Sequence, residues 1–180
     1  MNIKAQINEL VYHAALMRLD KLDIKKVQEI FDSLMQNGIF HNEFIDIAYP
    51  NSNYTRDSIP SFEAALRKLK CKIPADNDEA VSVIVKFYLI KITNSEIDPL
   101  KGLSNIINDV SGCSILSENS KHFLGDSHGI ENLISLYWHG VEMRDMPSKI
   151  SCNDKYGEDA IIELKKLIVN SAYEWLEKYG

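Results

Sequence analysis

The chain has 180 residues, of which 45% are hydrophobic and 26% are charged, and this composition excludes wholesale disorder. That length is enough for one well-buried core and too short for a second full domain to be expected. The formal net charge of −6 disfavours a general affinity for DNA, RNA or anionic membranes, because binding to phosphate requires clustered lysine and arginine.

The acidic charge is concentrated in the second half of the chain. Residues 1–90 have 11 basic and 12 acidic side chains, whereas residues 91–180 have 9 and 14. A face that binds a cationic partner is therefore expected in the second half. An equally good interpretation is that the excess of acidic residues only aids solubility.

Apolar residues recur at helical spacing along the whole chain and predict one all-α domain over residues 1–180. The domain is expected to be a bundle of about seven helices. Asp23 and Asp98 are the predicted N-caps of the second and fifth helices, and Asn37-Gly38 ends the second helix with a left-handed residue. The predicted helices are marked by Ile3 to Ala14, Asp23 to Asn37, Asp57 to Lys72, Asp76 to Thr93, Asp98 to Ser111, Asp126 to Met143, and Glu158 to Lys178.

Two stretches do not follow this periodicity clearly. Residues 39–57 are irregular, with a short turn expected over residues 44–47 and a loop from Tyr49 to Tyr54. Residues 81–92 are rich in β-branched side chains, so a short buried strand is an alternative to the buried helix that we predict there.

The cysteines and the N-terminal sequence indicate a protein of the reducing cytoplasm. Cys71, Cys113 and Cys152 stand in no pattern typical of a disulfide framework or a zinc site, and buried structural thiols are expected. Residues 1–10 lack the apolar core of a signal peptide. The most apolar stretch, residues 80–92, is too short and too charged to span a bilayer.

Residues 125–129, Gly-Asp-Ser-His-Gly, match the G-x-S-x-G pattern of the hydrolase nucleophile elbow. That chemistry requires a strand before Ser127 and a histidine delivered from a later loop. His139 is the only histidine after His128, and along one helix it would lie roughly 18 Å from Ser127. We therefore favour a loop and helix N-cap, in which Asp126 or Ser127 accepts first-turn amides.

Two H-x-x-E pairs, His128/Glu131 and His139/Glu142, are spaced so that they would share one stripe of a helix. Such a stripe suits a metal-binding helix, but no facing helix offers a matching pair. We therefore predict a solvent-exposed face and no metal. No P-loop, dinucleotide-binding or calcium-loop pattern is present, so no cofactor is expected.

Interaction surfaces are the remaining candidates for function. Tyr49 and Tyr54 flank an uncharged loop, and tyrosine is a common anchor at interfaces. Four acidic residues cluster in the loop before the last helix and in its first turn, where they can pair with lysine or arginine of a partner and speed encounter. These residues are Asp145, Asp154, Glu158 and Asp159.

The chain resembles the bacterial immunity proteins of contact-dependent inhibition and related polymorphic-toxin systems. The resemblance rests on size, acidity and the missing catalytic set, together with residues 57–60 (Asp-Ser-Ile-Pro), residues 125–130 (Gly-Asp-Ser-His-Gly-Ile) and Tyr137-Trp138. It implies a non-enzymatic protein that neutralises a basic toxin domain by steric and electrostatic occlusion. Two alternatives stay open: a serine- or metal-dependent hydrolase centred on Ser127 and the helix of His128 and His139, and a homo-oligomeric helical adaptor.

Overall fold

The computed structural model describes residues 3–50, 54–111 and 120–180. Within these ranges the chain forms eight α-helices, one short 3-10 helix and no strand, which confirms the predicted all-α fold. The 3-10 helix covers Asp126–His128. The α-helices are α1 (Ile3–Arg18), α2 (Ile24–Gln36), α3 (Asn42–Ala48), α4 (Thr55–Lys68), α5 (Asn77–Thr93), α6 (Pro99–Val110), α7 (Glu131–Asp145) and α8 (Gly157–Tyr179).

Two helices begin with the aspartate caps that the sequence predicts. The Asp23 carboxylate accepts a hydrogen bond from the backbone N–H of Lys25, at the start of α2. Asp98 accepts from the two amides that follow Pro99, at the start of α6. Each cap satisfies first-turn donors that the helix itself leaves unpaired.

Four helices end in the same hydrogen-bonded motif, although only one of them ends at glycine. Gly38 follows α2 with φ of 83°, as predicted, while Asp20, Lys70 and Ser95 take the same left-handed position after α1, α4 and α5. In each case the next N–H donates to the carbonyl five residues back, as in a Schellman motif. The sequence also predicts Ser111-Gly112 as the stop of α6, and Gly112 lies outside the described residues.

Three local predictions are corrected by the structure. The short turn expected over residues 44–47 is the helix α3, in which Phe44 and Ile47 are fully buried. The strand alternative for residues 81–92 is wrong, because these residues belong to α5. The helix predicted from Asp126 begins instead at Glu131, after a separate 3-10 turn.

The chain divides into two compact units, Met1–Ile84 and Val85–Gly180, and the boundary falls inside α5. The first unit has a core of aromatic and aliphatic side chains from α1 to α4. Phe31 is at its centre, with ring centroids 4.7 Å from Phe44 and 6.1 Å from Phe62. Each fully buried Phe of this kind contributes roughly 1.5–3 kcal/mol through removal of apolar surface from water.

The second unit is built from the end of α5 together with α6, α7 and α8. Helix α7 contacts both α6 and α8. Two glycines sit where neighbouring side chains come close: Gly102 of α6 faces Ile92, and Gly140 of α7 faces Leu100 and Leu164. None of the helices in the described ranges combines the length and apolar character needed to cross a bilayer. The prediction of one domain over residues 1–180 stays a prediction.

Candidate functional site

The Gly-Asp-Ser-His-Gly segment forms a tight turn that is packed against α7 and α8. Gly125 and Gly129 both have left-handed backbones, with φ of 83° and 66°. A Cβ atom at Gly129 would lie 2.6 Å from the ring of Tyr179, so the glycine also allows this close approach. The indole N–H of Trp175 donates to the carbonyl oxygen of His128 at 3.0 Å. The segment is therefore fixed by tertiary contacts.

Asp126 organises the loop before this turn and does not cap the helix after it. Its carboxylate accepts hydrogen bonds from the backbone amides of Lys121, His122 and Phe123, at 2.8 to 3.2 Å. These donors hold the pKa of Asp126 below its ordinary value. The predicted N-cap is therefore wrong: Ile130 precedes α7 without a side-chain cap.

The hydroxyl of Ser127 lies within hydrogen-bonding distance of the next residue, His128. This exposed hydroxyl is 2.9 Å from Nδ1 of His128, whose ring is buried. His139 has a different role, because its half-buried ring donates from Nε2 to the carbonyl oxygen of Ser151 at 3.1 Å. The prediction of a solvent-exposed histidine stripe is therefore wrong, although Glu131 and Glu142 are exposed.

Among the described residues, the backbone around Ser127 forms no oxyanion hole. The amides of Asp126, His128, Gly129 and Ile130 donate to carbonyl oxygens within residues 123–126. Hydrolysis through a serine ester needs free donors aimed at the developing oxyanion. Among residues 126–130 only the Ser127 amide lacks a carbonyl acceptor, and it helps to lower the pKa of the Asp126 carboxylate.

The described residues contain no group of three or more His, Cys, Asp or Glu arranged to hold a metal ion. Cys152 is buried and Cys71 half-buried, and burial raises the pKa of both thiols. A raised pKa disfavours the thiolate that metal binding and nucleophilic attack require. Cys113 lies outside the described residues.

The four predicted acidic residues lie on one hydrogen-bonded segment, residues 145–159, which we call the acidic segment. At its centre Cys152 and Lys155 exchange two backbone hydrogen bonds of 3.0 Å each. The two residues between them, Asn153 and Asp154, have φ of 51° and 62°. Two consecutive left-handed residues define a type I′ turn, which places the exposed Asp154 at its tip.

The acidic segment is also bonded to both helices that flank it. His139 of α7 holds the carbonyl of Ser151, as described above. The ammonium group of Lys155 donates to Glu163 of α8 at 2.6 Å, which raises the pKa of Lys155 and lowers that of Glu163. The N–H of Gly157 donates to the carbonyl of Pro147 and closes the loop. The conformation of the segment is thus fixed at several points.

The carboxylates of the acidic segment differ in how far nearby cations neutralise them. Asp145 lies 3.7 Å from Nε of Arg144, and Asp159 attracts Lys155. Asp154 and Glu158 are exposed and form no ion pair with any residue that the structure describes. The uncompensated negative charge is therefore at the turn and at the first residues of α8.

Tyr49 and Tyr54 belong to the first unit, and the four acidic residues belong to the second. Tyr54 is 77% exposed, just before α4. Tyr49 is 65% exposed, and its hydroxyl donates to the Asp32 carboxylate at 3.0 Å, which raises the pKa of Tyr49. The hydroxyl of Tyr49 therefore already donates its hydrogen bond within the protein.

Trp138 is an exposed aromatic residue that is not among the interface residues predicted from the sequence. Its side chain is 53% exposed, whereas Trp175 is 4% exposed in the core of the second unit. The signal was present in the helical periodicity: Trp138 follows Tyr137, which shares a face with Leu133, and so it lies off the apolar face of α7.

Comparison with models of known protein families, with curated proteins and with solved structures gives no match to this chain. Its function is therefore inferred from the geometry and charge of its own residues.

Proposed function

We propose that this chain is an immunity protein that binds a basic toxin domain and neutralises it by occlusion. The observation that carries the proposal is the acidic segment, which presents exposed carboxylates on a backbone bonded to α7 and α8. A fixed array of uncompensated negative charge is complementary to clustered lysine and arginine on a partner.

The rigidity of the acidic segment favours binding. Ordering a rotamer-rich side chain or loop at an interface costs about 0.5–1.5 kcal/mol per side chain. Here the type I′ turn at Asn153-Asp154 and the His139 contact already fix the backbone that carries the carboxylates. Binding therefore needs to order only the acidic side chains themselves.

A hydrolase centred on Ser127 is the second candidate, and the 2.9 Å contact with His128 is the observation that favours it. The neighbouring amides count against it, because those of Asp126, His128 and Gly129 donate to backbone carbonyls. Electrostatic stabilisation of the oxyanion is commonly the largest single contribution to such catalysis.

The test uses the protein encoded by the gene immediately upstream, which the proposal requires to be a toxin with a basic domain. We expect the purified chain to abolish the activity of that toxin at equimolar concentration and to bind it at micromolar concentration or below. The Ser127→Ala variant should inhibit as well as the wild type, because occlusion requires no turnover.

Two outcomes would contradict the proposal. One is the absence of binding to the toxin at low salt and micromolar concentration. The other is hydrolysis of ester or phosphodiester substrates that Ser127→Ala abolishes. A solution mass corresponding to a stable homo-oligomer, without toxin binding, would instead support the adaptor alternative.

A further inference from the structure

One exposed stripe of α7 combines an aromatic side chain with carboxylates. Five residues follow one another at spacings of three or four, so they lie on the same side of the helix, and all five are exposed. Near the centre of the stripe is Trp138, which is held edge to face by Tyr137 with ring centroids 5.2 Å apart. The stripe consists of Glu131, Ser135, Trp138, Glu142 and Asp145.

The charges along this stripe single out Glu142. Asp145 lies beside Arg144, and the pKa of Lys178 is raised mainly by its hydrogen bond with Tyr179 and to a smaller extent by attraction to Glu131. Glu142, one helical turn from Trp138, forms no ion pair with the residues that the structure describes. A half-exposed indole and an uncompensated carboxylate are therefore neighbours on the surface.

We propose that Trp138 and Glu142 dock an arginine side chain of the toxin partner, with the guanidinium against the indole and paired to the carboxylate. This inference rests on the proposed function and specifies the chemistry of the partner. Arginine fits better than lysine, because its planar guanidinium stacks on an aromatic face while its N–H groups bind a carboxylate. Tryptophan is the aromatic residue that binds cations most strongly.

The test uses two fluorescently labelled synthetic peptides that are identical except that three arginines in one are lysines in the other. Fluorescence anisotropy measures their affinities for the full-length chain. We expect the arginine peptide to bind about fivefold tighter than the lysine peptide, as the cation–π difference at an exposed site allows. Trp138→Ala should remove this preference.

A matched pair of variants separates the local effect from net charge. Glu142→Gln and Glu174→Gln each remove one exposed carboxylate, but Glu174 lies on α8, outside the stripe. We expect Glu142→Gln to weaken binding of the arginine peptide about threefold or more and Glu174→Gln to leave it nearly unchanged. Circular dichroism checks that all variants keep the helical content of the wild type.

Equal affinities for the two peptides, or equal effects of the two glutamate variants, would overturn the inference. Failure of the proposed function is a different result: the wild-type chain would not bind the toxin at all. If the wild-type chain binds the toxin and Trp138→Ala does not weaken that binding, the inferred docking of arginine is wrong while the proposed immunity function stands.

Discussion

In the part of the chain that the structure describes, three helices end in a left-handed residue that carries a side chain. Asp20, Lys70 and Ser95 occupy the position that glycine most often takes, and they do so within complete hydrogen-bonded end motifs. A left-handed backbone costs an L-residue about 1–2 kcal/mol, whereas glycine adopts it readily. These positions therefore hold local strain that the rest of each helix offsets.

Replacing Ser95 by glycine should stabilise the protein. We expect a gain of about 0.5–1 kcal/mol in the free energy of unfolding, because the relief of strain exceeds the greater flexibility of glycine in the unfolded chain. Gly38→Ala is the opposite control. Nothing lies within 4 Å of the added Cβ, so the only cost is that of a left-handed backbone for alanine. We expect the free energy of unfolding to fall by about 1 kcal/mol. Urea unfolding measures both, and a shift of the same sign in the two variants would contradict the account.

Asp126 supplies a pH-dependent contribution to stability. Backbone amides lower its pKa below the ordinary 3.8, so the carboxylate stabilises the fold above that pH and loses its effect as the pH falls through the lowered value. Asp126→Asn should lower the urea midpoint at pH 7, and the difference from wild type should shrink below about pH 4. Glu174→Gln is the control, with little change expected at either pH. A difference that persists in acid would show that the charge of Asp126 is not the cause.

Gly102 of α6 lies so close to Ile92 of α5, in the second unit, that there is little room for an added side chain. An added Cβ would lie 2.6 Å from both Cγ1 and Cδ1 of Ile92, and the β-branched side chain has few rotamers in which to escape. Although alanine is the better helix former, crowding of this kind typically costs about 1–3 kcal/mol.

Gly102→Ala should therefore destabilise the protein, and the effect should be smaller when Ile92 is also alanine. Thermal unfolding of the two single variants and the double variant gives the coupling energy, which we expect to exceed about 0.5 kcal/mol. Ser104→Ala, on the same helix, is expected to leave the midpoint almost unchanged. Additive effects of Gly102→Ala and Ile92→Ala would show that the close contact is unimportant.

The sequence predicted those helix boundaries that depend on neighbouring residues alone. The caps at Asp23 and Asp98 and the stop at Gly38 are such cases. The predicted start of α7 was wrong because the Asp126 carboxylate can accept hydrogen bonds either from the backbone amides before it in the chain or from those after it. In the structure it accepts from the amides before it, and the neighbouring turn is held by a tertiary contact between Trp175 and His128. The left-handed ends without glycine were not predicted, because glycine is the residue that ordinarily marks such an end in a sequence.

The sequence predicted which acidic residues form the candidate site, but it did not predict how they are arranged. Asp154 and Glu158 are exposed, as an interface requires, but only the structure reveals the turn and the His139 contact that fix their backbone. The contact between Ser127 and His128 was also not visible, because neighbouring residues in a regular helix point away from each other and here they lie in a 3-10 turn.

At the scale of the whole molecule, α5 includes residues of both compact units. A cut between Ile84 and Val85 would leave each fragment about two turns of this helix, which is too short to be stable alone. We expect the helical circular dichroism signals of fragments 1–84 and 85–180, added together, to be clearly weaker than the signal of the intact chain. Two fragments that each unfold cooperatively with full helicity would contradict the prediction of one domain.

The proposed function depends on the uncompensated carboxylates of the acidic segment, which we infer bind a basic toxin domain. The most direct measurement is isothermal titration of the upstream gene product, which the proposal requires to be a toxin, with two variants of equal charge, Asp154→Asn/Glu158→Gln and Glu174→Gln/Glu177→Gln. We predict that the first variant binds about tenfold or more weakly than wild type and that the second binds almost normally. Equal affinities of the two variants, or no binding by the wild type, would contradict the proposal.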